Sequence, residues 1–366
     1  MIFSINKEEI VGELQILQGI VEKKNTMPIL ANILLKVKKD EVEMVGTDLE
    51  VGMITHFPAR IEDEGALTVS GKKIFEIVRS IPDGQLITFK EIEGLRMEIT
   101  SGASEFKILC LPHEDYPQIP EPRFEKGISL PLEEVKEMID RVYYAITQEQ
   151  RYYLNGALMI IKDKSIELVS TDGHRLSYTK KELEGLKIGG ELRGIVSKKT
   201  LGEIKKLDGE DIEFDLDENN LFFRVKNKTL ISRMIEGKFP NYEAVMPRDN
   251  PNRLSFSRDE MASSIKRVSL LSSERSKGIK LFLSKKQVDL FSSSPEMGEA
   301  HDRIQVDYEG KEMEIGFNSQ YLLDFLNTVK NERVVVEIKD ENSAVMMKPE
   351  VDDEIQYLYV LMPMKI

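Results

Sequence analysis

Tryptophan is absent from the 366 residues, histidine occurs four times and cysteine once, at Cys110. Each shortage removes a class of protein. A single cysteine permits no disulfide within the chain, which fits a reducing cytoplasm. His56, His113, His174 and His301 form no HxxxH or Cys–His spacing, so no structural zinc is expected, and nothing calls for another metal or cofactor. No apolar run approaches the ~20 residues that span a bilayer. The N-terminal MIFSINKEEI meets charge at Lys7 before any apolar h-region, so no signal peptide is expected. GxSxG and HExxH motifs are missing, and nothing supports an enzyme. Positive charge is in deficit: 51 Lys and Arg against 64 Asp and Glu leave −13. Taken alone, that sum disfavours a polyanionic partner, although the distribution of charge matters more. What is plentiful is ordinary globular material. Apolar residues make up 41% and charged residues 31%, enough for several cores, and the length favours two or three domains.

The chain is written three times. IFSINKEEI from Ile2, GISLPLEEV from Gly127 and RLSFSRDEM from Arg253 align Ser4, Ser129 and Ser255, and with them Glu9, Glu134 and Glu260. Asn6 and Ser257, each followed three residues later by glutamate, read as capping boxes; Pro131 takes that place in the second copy. Apolar residues then recur at helical spacing: Ile10, Leu14, Leu17 and Val21; Val135, Met138, Ile139 and Val142; Met261, Ile265 and Val268. VEMVGTDLE, IELVSTDGH and VDLFSSSPE follow as strands ending in polar turns. SGKKIFEIVRSI, VSKKTLGEIKKL and FNSQYLLDFLNTV read as second helices, and LPHEDYPQIP, GKFPNYEAVMP and LYVLMP close the copies. Alternating strands such as LRMEIT lie between, with Leu95, Met97 and Ile99 expected on one face. The expected architecture is three α+β domains of about 120 residues, joined at IPEPRFEKG and PRDNPN.

The repeat decides how STDGH at 170–174 is read. Serine, aspartate and histidine lie together there, yet the slot is GTDLE in the first copy and SSSPE in the third. Thr47-Asp48 and Thr171-Asp172 are therefore a repeated strand-end turn, in which Asp bonds nearby amides. Neighbours on one turn do not make a hydrolytic triad. His174 and Arg175 break the repeat and stand either as a solvated pair or as part of a binding surface. The tail YVLMPMKI is likewise open: Met362 and Met364 suit an adaptable apolar groove, or a last strand tucked into its own core.

Positive charge gathers on elements that recur with the period. Lys72, Lys73 and Arg79 lie on the second helix of copy one, and Lys198, Lys199, Lys205 and Lys206 on that of copy two. Lys23 and Lys24 follow the first helix, and Lys266 and Arg267 lie on that of copy three. Equivalent helices facing one way would meet phosphates without base readout. The other reading is solvated helix lysines, and the acidic first helix with Glu8, Glu9 and Glu13 favours it.

RYYLNG at 151–156, STDGHRL, GKFPNY, the terminal MPM and the TMPIL…GTDLE of copy one closely resemble the bacterial DNA polymerase III beta subunit family, the sliding clamps. The resemblance spans the whole chain. It implies three clamp domains at 1–122, 123–248 and 249–366, and a head-to-tail homodimeric ring with helices inside and sheets outside. It implies no catalysis. The ring encircles double-stranded DNA without sequence preference and tethers the polymerase III alpha subunit; the clamp loader and other clamp-binding proteins are further partners, and none is a membrane. The client peptide groove carried over is Leu154, Thr171, Gly173, His174, Arg175 and Leu176, completed by Pro240, Val245, Val360, Met362, Pro363 and Met364. DNA contacts carried over are Lys24, Gln148, Tyr152, Tyr153, Lys198 and Lys199. Phe106 and Ile108 of one chain would meet Leu270 and Leu271 of the other. Ala244 and Lys365 stand where the family often has arginine, and Asn25 where some relatives have proline. A monomeric interaction scaffold that uses the groove without encircling DNA is the alternative.

Overall fold

A computed structural model describes residues 1–21, 27–122, 124, 128–147, 152–184, 188–248, 250–351 and 353–366, with Tyr152 described in its backbone only. Six α-helices occur among them: α1 Lys7–Ile20, α2 Gly71–Ser80, α3 Leu132–Tyr143, α4 Lys198–Ile204, α5 Arg258–Ser269 and α6 Ser319–Thr328. The first helix of each copy buries its expected stripe. Ile10, Leu14 and Leu17, then Met138, Ile139 and Val142, then Met261, Ile265 and Val268 are closed to solvent. Each such side chain contributes about 1.5–3 kcal/mol on burial. The helix starts follow the local code. Glu9 reaches back to the Asn6 amide (3.3 Å), and Ser257 accepts from Glu260 N (3.5 Å). α3 begins directly after Pro131, the last residue of a strand. Ser70 and Asn318 cap α2 and α6.

One strand expectation fails at its edge. Met97 and Ile99 are buried in the strand Arg96–Ser101, but Leu95 precedes the strand at φ +52° and is exposed. The tight turn Gly94-Leu95 takes the residue out of the alternation.

The chain packs as two compact units that do not follow the repeat. Residues 1–134 with 199–234 form the first, and 135–198 with 235–366 the second, so the middle copy contributes to both. In the first unit a 13-stranded sheet runs continuously from copy two into copy one. The junction is the antiparallel pair Val51–Phe57 with Lys228–Arg233, in register from Ser232↔Val51 to Lys228↔Thr55. Phe3 and Phe89, opposite each other on neighbouring strands of this sheet, stack at 4.7 Å, which adds about 0.5–1.5 kcal/mol to their burial.

The second unit repeats the device. Its nine-stranded sheet joins copy two to copy three through Arg175–Glu182 and Ile355–Leu361, in register from Arg175↔Leu361 to Lys181↔Ile355. A four-stranded sheet, Gly298–Gln305, Gln287–Ser294, Gly278–Ser284 and Met313–Asn318 in that order, covers the other side of copy three's core.

Candidate functional site

In the second unit the strand Ser165–Thr171 ends in a turn held by its own Thr and Asp. Thr171 Oγ1 donates to Arg175 O (2.6 Å) and accepts from Gly173 N (3.1 Å). Asp172 Oδ1 accepts from His174 N (2.9 Å) and Arg175 N (3.0 Å). Gly173 takes φ +91°, the left-handed region glycine enters without penalty. The carboxylate is thus committed to the turn, and Ser170 and Thr171 are buried with their hydroxyls donating to backbone carbonyls.

His174 is exposed, and its carbonyl accepts from Met362 N (3.0 Å). The tail therefore crosses the turn. It continues to Met364, whose N donates to Gly316 O (2.9 Å), and the approach needs that glycine: a Cβ at 316 would lie 2.4 Å from Met364 O. Met362 is left 46% exposed, while Pro363 and Met364 are half buried. Leu154, Leu176 and Val360 form the floor, within one buried cluster that also holds Phe239 and Tyr242. Tyr242 stacks on Tyr178 at 6.0 Å and donates to Glu167 (3.2 Å). On the same segment Pro240 and Val245 are exposed. The result is an apolar floor with adaptable methionine, valine and proline edges, a form suited to anchoring aliphatic or aromatic side chains of a peptide.

Arg175 lies beneath this surface, 9% exposed. Nε donates to Asp172 (2.9 Å), Nη1 to Asp324 of α6 (2.5 Å) and Nη2 to Tyr144 O (2.7 Å), with the guanidinium 4.2 Å from the Tyr321 ring centre. Burial works against its charge, but Tyr359, Asp324 and Asp172 outweigh that and raise its pKa. It fixes the turn against α6 and the end of α3. Nothing in the sequence marks Asp324 or Tyr144 as its partners; Phe239 and Tyr242 could have been found from FPNY.

The nucleic-acid candidates are scattered. Lys24 and Gln148 lie outside the described residues, as does the side chain of Tyr152. Tyr153 is half buried, against Gly237. Lys198 donates to Ile146 O (3.0 Å) and lies 5.1 Å from the Tyr143 ring centre. Burial, with the charge of Arg175 added, lowers its pKa. Lys199, in the first unit, donates to Ile20 O (3.0 Å) and to Asp48, closing the end of α1. Lys72 and Lys73 face Glu76, and Lys206 faces Glu203. The recurring lysines are thus largely paired.

Two strands keep a largely free side: one lies within the 13-stranded sheet, the other at the edge of the four-stranded sheet. Ser104–Leu111 bonds to Arg96–Ser101 on one side and touches Gly65–Ser70 only at Thr68↔Leu111 and Val69↔Cys110. Phe106 and Ile108 face the buried Ile99 and Met97 across the ladder, yet are themselves only half buried, and Leu109 is 73% exposed. Among the described residues, Gly298–Gln305 bonds only to Gln287–Ser294. Leu270, ending α5, is 76% exposed, and Leu271 half buried.

Comparison with known proteins matches three family models in chain order. Residues 1–120 match the DNA polymerase III beta subunit N-terminal domain, 129–241 its central domain and 243–365 its C-terminal domain. The chain is 32% identical over 370 residues to the beta sliding clamp of Vibrio cholerae, and 33% over 374 to that of Escherichia coli K12, each covered completely, as is this chain. Among solved structures, the Pseudomonas aeruginosa DNA polymerase sliding clamp with ligand superposes with a TM-score of 0.94 at 32% identity over the whole of both chains. The clamp of that organism bound to griselimycin does so at 0.93, with the same identity and coverage.

Proposed function

The chain belongs to the DNA polymerase III beta subunit family, and from that premise we propose that it is a sliding clamp, a non-catalytic ring that encircles duplex DNA. One regularity of strand pairing supports the ring. The strand after the turn of copy one pairs with the last strand of copy two, Val51–Phe57 with Lys228–Arg233. The strand after the turn of copy two pairs with the last strand of copy three, Arg175–Glu182 with Ile355–Leu361. The same rule leaves Gly298–Gln305 of copy three and the free side of Ser104–Leu109 of copy one unmatched. Two chains set head to tail supply each other with both missing strands, and the assembly closes. Phe106 and Ile108 then gain cover from the Leu270–Leu271 corner of the second chain.

The domains run 1–122, 123–248 and 249–366. DNA is held without sequence preference, with Lys24, Gln148, Tyr152, Tyr153, Lys198 and Lys199 as its contacts. A link of this kind needs no tight binding; it raises the effective concentration of whatever is tethered. The tethered clients are the polymerase III alpha subunit, the clamp loader and other clamp-binding proteins, which insert a peptide at the Leu154–Leu176–Val360 floor beside Met362 and Met364. Thr171, Gly173 and His174 shape the groove's edge with Pro240, Val245 and Pro363, and Arg175 positions it from below. The site of action is the cytoplasm; no helix among the described residues is long and apolar enough to cross a membrane.

The test is topological. Chains loaded on a nicked circular duplex should stay bound, and should leave when one cut linearises it. Equal retention on both forms, or a stable monomer at micromolar concentration, points to the monomeric scaffold instead.

A further inference from the structure

The turn after the strand Val42–Thr47 is built as the one at Thr171–Arg175 is. Thr47 Oγ1 donates to Val51 O (3.0 Å) and accepts from Leu49 N (3.0 Å), and Asp48 Oδ1 accepts from Glu50 N (3.0 Å) and Val51 N (2.7 Å). The third residue again has positive φ, +77°, but it is Leu49. A leucine in the left-handed region is strained, and this one also leaves its side chain 51% exposed. Glycine at 49 would remove both penalties, so folding does not explain the leucine. A strained, exposed apolar residue beside a cleft is a reason to look for a ligand.

The cleft is there. A groove of about 350 Å³ opens beside Leu49, with buried Ile231 on its floor and the segment Pro117–Pro120 along one side. The lining parts follow those of the tail groove: a strand-end turn, a proline segment after Tyr116 and the last strand of the next copy. The lining differs. Gly52 stands where Leu176 stands in copy two, and Ile119 leans over the space, 3.5 Å from where a Cβ would sit. Amide side chains enter with Gln118, Asn219 and Asn220. One acid and one base, Glu50 and Arg233, are neighbours through Arg233 N donating to Glu50 O (2.8 Å), which gives the rim no net charge.

We propose that this groove of the first unit binds a second short, extended peptide, distinct from the one at the tail. Its single aliphatic side chain enters between Leu49, Ile119 and Ile231, and its flanking residues are polar and uncharged. The neutral rim selects against flanking charges of either sign, and the amides offer donors and acceptors to peptide backbone. The volume lies at the low end of the ~300–1,000 Å³ of ligand pockets, enough for a few residues and too little for a helix. The proposal stands apart from the ring, because it needs neither DNA nor the tail groove.

The experiment uses the full chain with Met362→Ala and Met364→Ala, which weakens the tail groove, and isotope-labelled leucine and isoleucine methyls. The probe is a capped pentapeptide with one central leucine flanked by serine and glutamine. Saturable shifts are expected at Leu49, Ile119 and Ile231, and binding at least about fivefold weaker when the serines are replaced by aspartate or by lysine. Ile119→Asp, on a half-exposed segment, should abolish the shifts. Leu49→Gly should raise the melting temperature while weakening the probe. No shifts at those methyls up to about 10 mM peptide, a limit that corresponds to negligible affinity, overturn the proposal, as do shifts that survive Ile119→Asp. Equal binding of neutral and charged probes overturns the assigned chemistry.

Discussion

The two strand-end turns, Thr47–Val51 and Thr171–Arg175, share four side-chain hydrogen bonds and differ in what they carry. In both, threonine and aspartate side chains close the backbone, and the third residue is left-handed. The copies then diverge. Copy one continues with Glu50 and the buried Val51; copy two continues with the exposed His174 and with Arg175, which is bound to Asp172, Asp324 and Tyr144. The repeated residues make the turn, and the unrepeated ones decide what it is attached to. At the second junction that attachment runs through Arg175 to α6, under a crossing tail, whereas the first turn is held from outside by Lys199 on Asp48, with Val51 only packing where the arginine stands.

The largest difference should appear on removing the arginine. Arg175→Leu leaves two mostly buried carboxylates without their cation and should cost about 3 kcal/mol or more, seen as a lowered calorimetric transition. Val51→Ala, the counterpart in copy one, removes only packing and should cost about 2 kcal/mol or less. A client-type peptide should also bind Arg175→Leu more weakly, although the arginine offers it almost no surface. Unchanged peptide affinity would mean that the turn holds its shape without the arginine.

The next largest effect separates the two grooves by their last strands. Met362→Ala with Met364→Ala removes flexible apolar contacts and should weaken a client-type peptide by about 2 kcal/mol, roughly thirtyfold. The dimer should remain intact by mass. Arg233→Ala, at the end of the equivalent strand in the first unit, should leave the same titration unchanged. If both sets of variants weakened it alike, the two junctions would not differ in peptide binding.

Much of this was legible in the sequence because it is local. Capping pairs, the 3.6-residue stripes of α1, α3 and α5, and the Thr-Asp turns all depend on residues a few positions apart. What stayed hidden depends on partners far along the chain. Nothing in the sequence names Ile355–Leu361 as the neighbour of Arg175–Glu182, or Lys228–Arg233 as that of Val51–Phe57, and those pairings carry the sheets from one copy into the next. Asp324 lies 149 residues from Arg175 on a helix whose spacing gives no hint of it. Lys199 reads as a solvated or phosphate-facing charge, and the fold turns it onto Ile20 O and Asp48. Leu95 was placed by periodicity, which does not see a left-handed turn.

The smallest effect tests the shared part of the comparison. Thr47→Val and Thr171→Val each remove a hydroxyl that donates to one backbone carbonyl and accepts from one amide, so each should cost about 1–2 kcal/mol, and by similar amounts. The third residues should then respond in opposite senses. Leu49→Gly relieves left-handed strain and should stabilise by about 1 kcal/mol, whereas Gly173→Leu introduces the same strain and should destabilise by at least that much. Paired differential scanning calorimetry reads both. Equal threonine losses with opposite third-residue shifts would mean that the two turns are one structure, strained in only one copy. If Leu49→Gly proved neutral or destabilising, the leucine would be contributing to folding after all, and the groove beside it would lose its main support.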